Sequence, residues 1–200
     1  MTARVRTAAD RVSLALNPSL LTGAFFVILA WKFEPTTIAR FRAGGAAFIF
    51  ATLVPIASLF ALVAVGRLSD VEMRIRSERD VVYGVCLASY ALGALLLFAI
   101  GASWPLWGFM ALQVPVTAVL GLVNRRWKVS IHATAIAGLC AAGVVFFGRW
   151  AAPALLLLPL AAWGRWAAGA HSGRELIVGA ALGAASASAG IALLRFLVAN

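Results

Sequence analysis

The chain has 200 residues, of which 63% are hydrophobic and only 12% charged, and its mean hydropathy is +0.96. A soluble domain carries about twice that charged fraction, so a water-soluble fold is excluded. The net charge of +10, from 17 basic residues against seven acids, lies mostly in short loops between apolar runs. That placement argues against a nucleic-acid partner and for topology control, anionic lipid headgroups or a phosphate site.

From the N-terminus, Arg4, Arg6 and Arg11 precede an apolar run that begins at Leu14. The layout is that of a signal peptide, but no small-residue cleavage site follows and the run ends in "WKFE". It therefore reads as a retained first span. Breaks by charge, Pro and Gly then divide the chain into runs at roughly 14–31, 45–66, 81–101, 104–123, 131–148, 150–164 and 176–198. A helix needs about 20 residues to cross the hydrocarbon core. The sixth run is short and carries Pro153 and Pro159. "GASWP" turns the third run into the fourth, and "FGRW" turns the fifth into the sixth. The expected fold is all-α: a polytopic membrane bundle of six to seven transmembrane helices, in one integral membrane domain over 1–200.

Several features read as architecture. Cys86 and Cys140 sit in separate apolar runs and behave as small buried hydrophobes. Trp104, Trp107, Trp127, Trp150, Trp163 and Trp166 fall at span ends, where interfacial aromatics belong. Gly179 and Gly183 have the small-residue spacing that lets helices approach closely, read first as packing within the bundle and second as an oligomer interface.

Spans alternate in direction, so the N-terminus and the loops 67–80, 124–130 and 165–175 share one face. That face holds 12 of the 17 basic residues, the others being Lys32, Arg40, Arg42, Arg149 and Arg195. The positive-inside rule makes it cytoplasmic. The chain's two histidines, His132 and His171, both fall there, each at the mouth of a span.

Histidines among arginines and a lysine, without a carboxylate cluster, suit phosphoryl chemistry. Arg and Lys clamp phosphoryl oxygens and neutralise transition-state charge. One His attacks phosphorus, and a second donates a proton to the departing oxygen. Glu175 lies four residues after His171, one helical turn, placed to hold the imidazole in the tautomer that frees its other nitrogen. Metal binding fits less well, because the arginines repel a cation and His-x-x-x-Glu alone is a weak ligand set. The chain has neither an Asp-rich diphosphate motif nor a Walker-type loop.

These residues resemble the three motifs of the type 2 phosphatidic acid phosphatase superfamily, the membrane lipid phosphate phosphatases. The family patterns are Lys-x6-Arg-Pro, Pro-Ser-Gly-His and Ser-Arg-x5-His-x3-Asp. Arg165, His171 and Glu175 reproduce the third spacing, with Gly164 for Ser and Glu175 for Asp. "VSIH" keeps Ser130 and His132 of the second, with Val129 for Pro and Ile131 for Gly. In the first, Arg79 stands for the Arg, Asp80 for the Pro and Glu72 for the Lys; Arg67-x6-Arg74 is the weaker alternative. The run "DVEMRIRSERD" resembles the divergent form of small bacterial members, which favours Arg79 supported by Arg76. The resemblance covers about 45–198 and keeps the family order.

What the resemblance implies is a metal-independent phosphatase of the bacterial inner membrane, needing no cofactor and acting on a lipid-linked phosphate or diphosphate. His171 forms a phosphohistidine with Glu175 orienting it, and His132 serves the leaving group. Arg79, Arg165, Arg76, Lys128 and Ser130 take phosphoryl oxygens. The partners expected are the lipid substrate, the bilayer and a second copy of the chain. Plainer readings stand beside these: Arg125 and Arg126 as topology signals, Arg174 as a solvated loop residue, Lys128 as an interfacial anchor, Ser130 as a helix cap. The rivals are a phosphotransferase with the same intermediate, a non-catalytic relative that binds anionic lipid, and a small transporter or channel subunit. The last predicts strongly polar mid-span residues, of which Gln113 is nearly the sole example.

Overall fold

The computed structural model describes residues 3–71 and 75–199, with the backbone alone at Ala3 and Arg76. Helical stretches long and apolar enough to cross a membrane are Arg4–Phe33, Thr37–Ala64, Arg79–Ala99, Trp104–Asn124, Ile131–Ala167 and Gly173–Ala199. Helices account for the backbone hydrogen bonding, and no strand occurs among the described residues. The protein is an all-α, multi-pass integral membrane bundle. Large apolar side chains such as Leu95, Phe98, Ile177 and Phe196 point outward, as lipid-facing positions require.

Met1–Leu21 with Lys128–Asn200 form one compact unit, and Thr22–Trp127 another. The first unit begins with α1 (Ala3–Ala15), which stops before Asn17. The side chain of Asn17 accepts the Ser19 and Leu20 N–H groups at 3.0 and 3.2 Å and so caps α2 (Pro18–Phe33). The run expected at 14–31 is thus divided. Asn17 precedes a proline that favours the first helical position and disfavours helix in the residue before it. The buried face of α1, Ala9 and Ser13 with half-buried Val12, has helical spacing and continues to buried Leu16 just past its end.

α7 (Ile131–Phe147) ends at Gly148, whose φ of +61° an L side chain would strain. A 3-10 segment over Gly148–Leu156 leads into α8 (Leu157–Ala167). Cys140 lies 3.3 Å from the Ala154 carbonyl, and Ile136 and Cys140 share a core cluster with Ala161 and Leu16. In a straight helix residues 14 apart would be about 21 Å apart, so the chain reverses at Gly148. The runs 131–148 and 150–164 are the legs of one hairpin, as "FGRW" predicted.

α9 (Gly173–Ala199) packs on α7 through Gly179 and Gly183. A Cβ on Gly179 would meet the Ser130 carbonyl at 2.8 Å, and one on Gly183 would overlap that of Thr134. The small-residue spacing serves packing inside this unit.

In the second unit α3 (Thr37–Phe48) joins α4 (Val54–Ala64) through a π turn over Ile49–Leu53. Pro55 has no N–H, and the helix widens just before it, with Val54 N–H reaching the Ile49 carbonyl. α5 (Arg79–Ala99) and α6 (Trp104–Asn124) form the hairpin expected at "GASWP". Its turn uses Gly101 at φ +69°, and buried Glu34 accepts the Ser103 N–H at 2.7 Å, neutralising the start of α6.

Candidate functional site

The five residues between α8 and α9, Ala168–Ser172, hold the centre of the site. α8 ends in a Schellman turn: Gly169, at φ +70°, donates to the Trp166 carbonyl and Ala170 to that of Arg165. His171 N–H reaches the same Arg165 carbonyl at 3.2 Å. α9 opens with a capping box, in which Glu175 N–H donates to Ser172 Oγ and Ser172 N–H to Glu175 Oε2. His171 is pinned between these two devices, its backbone held by α8 and its ring by α9.

The ring is the buried part. His171 Nδ1 lies 2.7 Å from Glu175 Oε2, and its side chain is only 4% exposed. A carboxylate accepts, so Nδ1 carries the proton and Nε2 keeps its lone pair. Burial, with the charges of Arg165 and Lys128, pushes the His171 pKa down, against the pull of the Glu175 hydrogen bond, to about 4. The folded value lies below the ordinary 6.5, so the ring stays neutral at pH 7. Stability tied to it falls as pH drops from 6.5 towards 4, where the unfolded chain binds the proton first. NMR titration of the ring is expected to give a midpoint far below 6, and Lys128→Gln to raise it.

Lys128 reaches across from the α7 side to the Ala170 carbonyl at 2.8 Å. An ammonium has three donors, so two remain for a ligand. Ser130 is fully buried; its hydroxyl accepts the Ala133 N–H as the N-cap of α7, and its own N–H reaches the Glu175 carbonyl at 3.4 Å. The capping reading of Ser130 therefore holds. His132 follows in the first turn of α7, half-buried, with Nε2 3.3 Å from the Ser13 carbonyl. Arg165, half-buried in the last turn of α8, and His171 both lie within electrostatic range of His132.

The first unit thus gathers His171, Glu175, His132, Lys128, Ser130 and Arg165, from loops the sequence assigned to one face. Arg79 belongs to the second unit. It is 4% exposed at the start of α5 and donates to Asn124 Oδ1 at 3.3 Å, which joins the 67–80 loop to the end of α6. Arg125 pairs with Asp80 at 3.3 Å on the surface. Arg76 opens a 3-10 turn, Arg76–Glu78, but its side chain, like Glu72 and Arg74, lies outside the described residues. Among the described residues no three His, Cys, Asp or Glu groups gather as a ligand set.

Sequence reasoning missed three participants. Asn124 gave no signal beyond being a polar residue at a span end. Ser172 did, since Ser-x-x-Glu before an apolar run marks a capping box. The Ser13 carbonyl is main chain and has no signature. Comparison of the chain with protein-family models, curated proteins and solved structures finds no match, so the family resemblance rests on the motifs alone.

Proposed function

We propose that the protein is an integral membrane phosphatase acting on a lipid-linked phosphate or diphosphate. The observation that carries this is His171: a buried, neutral imidazole whose Nδ1–H is held by Glu175, beside Arg165 and Lys128. In this reading Nε2 of His171 attacks phosphorus and the bond to the leaving oxygen breaks. His132 Nδ1 passes to that oxygen the proton it takes from the singly protonated phosphoryl group, then takes one from the water that splits the phosphohistidine and frees phosphate. Arg165 and Lys128 hold the phosphoryl oxygens, with Ser130 presenting the N-terminus of α7 to the anion. Arg79 and Arg76 enter from the motif resemblance. The positive-inside rule supports a cytoplasmic position for this face, and the bacterial inner membrane enters from the motif resemblance.

Purified protein should release phosphate from phosphatidic acid or a polyprenyl diphosphate in micelles, and EDTA should have little effect. His132→Ala should slow release by roughly 100-fold or more, the usual cost of a lost general acid. Glu175→Gln should slow it too, because an amide can present its N–H to the ring and favour the wrong tautomer. Full activity in either variant would refute the assigned roles, and strong EDTA inhibition would point to a metal site.

A further inference from the structure

The last carbonyls of a helix have no partner within it. In α1 the Val12 carbonyl accepts the Leu16 N–H at 2.9 Å, and the Leu14 carbonyl accepts the Asn17 N–H at 3.2 Å. Asn17 N–H would serve Ser13 if the helix continued. Here His132 Nε2 meets the Ser13 carbonyl instead, at 3.3 Å. A carbonyl only accepts, so His132 carries its proton on Nε2 and its lone pair on Nδ1. His171 has the reverse arrangement, with Nδ1–H on Glu175. The two histidines are held in opposite tautomers.

We propose that the C-terminal turn of α1, through the Ser13 carbonyl, is a positioning element that holds His132 in the Nε2–H tautomer and leaves Nδ1 to exchange protons with the substrate. The exchange rests on the phosphatase reading; the tautomer does not. While Nδ1 takes and gives its proton, the other N–H of the ring stays on the Ser13 carbonyl. Main chain thus does for His132 what Glu175 does for His171. The family resemblance begins near residue 45 and assigns α1 no role.

α1 is held in place at Gly164 of α8. A Cβ there would meet Ser13 Oγ at 3.2 Å, Val12 Cγ1 at 3.3 Å and the Ala9 carbonyl at 3.4 Å, and Ala9 itself is fully buried. Ala9→Leu and Gly164→Leu both force α1 away from α8, one from each side. Leu14→Ala, at a position 72% exposed, leaves that contact intact.

The test uses the full chain labelled with 15N-histidine in micelles at pH 7.5. Only two histidines occur, and His171→Asn assigns them. Wild type should show one Nδ1–H ring and one Nε2–H ring, the latter His132. Folded Ala9→Leu or Gly164→Leu should turn His132 into a tautomer mixture and cut phosphate release at least tenfold, while Leu14→Ala changes neither. An Nδ1–H or averaged His132 in wild type, or an unchanged Nε2–H ring in both bulky variants, would overturn the proposal. Opposite tautomers in a wild type that releases no phosphate would support the tautomer assignment and sink the phosphatase.

Discussion

His171→Ala is expected to abolish phosphate release and the trapped phosphoenzyme together. No neighbouring group can take over as nucleophile. In this reading His132 Nδ1 serves the leaving oxygen, and the hydroxyl of Ser130 is buried as a cap. A lost covalent nucleophile costs at least about 10⁴-fold in turnover. His171→Asn separates chemistry from structure, because its amide still donates to Glu175 and fills much of the same space. It should fold with near-normal stability and be as inactive as the Ala variant. A phosphoenzyme persisting in either variant would move the nucleophile elsewhere, and turnover without one would argue for direct attack by water.

The largest effect on stability is expected at Gly183. Gly→Ala within an exposed helix stabilises by up to about 1 kcal/mol, because alanine loses less backbone entropy on folding. At Gly84 in α5 a Cβ meets nothing within 4 Å, and Gly84→Ala should follow that rule. At Gly183 the same methyl would overlap the Thr134 carbonyl, main chain of α7 that cannot rotate aside. Gly183→Ala should therefore destabilise, by about 3 kcal/mol or more as overpacking against a rigid neighbour does. It should also lower activity, since α7 carries His132 and is capped by Ser130 while α9 carries Glu175. Thermal unfolding in micelles compares the pair directly. Equal effects at both glycines would mean that α7 and α9 do not meet as described.

Composition and apolar run length were enough to determine that the chain is a multi-pass α-helical membrane protein, because lipid leaves the backbone few other ways to satisfy its hydrogen bonds. The hairpins at "GASWP" and "FGRW" were legible for a local reason: Gly101 and Gly148 adopt backbone angles that other residues resist. The link between His171 and Glu175 was legible too, as a spacing of one helical turn. The break at Asn17 was written in the Asn-Pro pair but overridden by the apolar run around it.

Tertiary structure decided the rest. That Lys128 meets the Ala170 carbonyl and Ser130 meets that of Glu175 depends on how closely α7 and α9 approach, which Gly179 and Gly183 set across more than 40 residues of chain. Burial of the His171 ring, and with it the neutral imidazole, follows from that approach. The tautomer of His132 depends on a main-chain carbonyl 119 residues away. Every residue carries a carbonyl, so side-chain pattern cannot reveal which one the fold leaves for an imidazole.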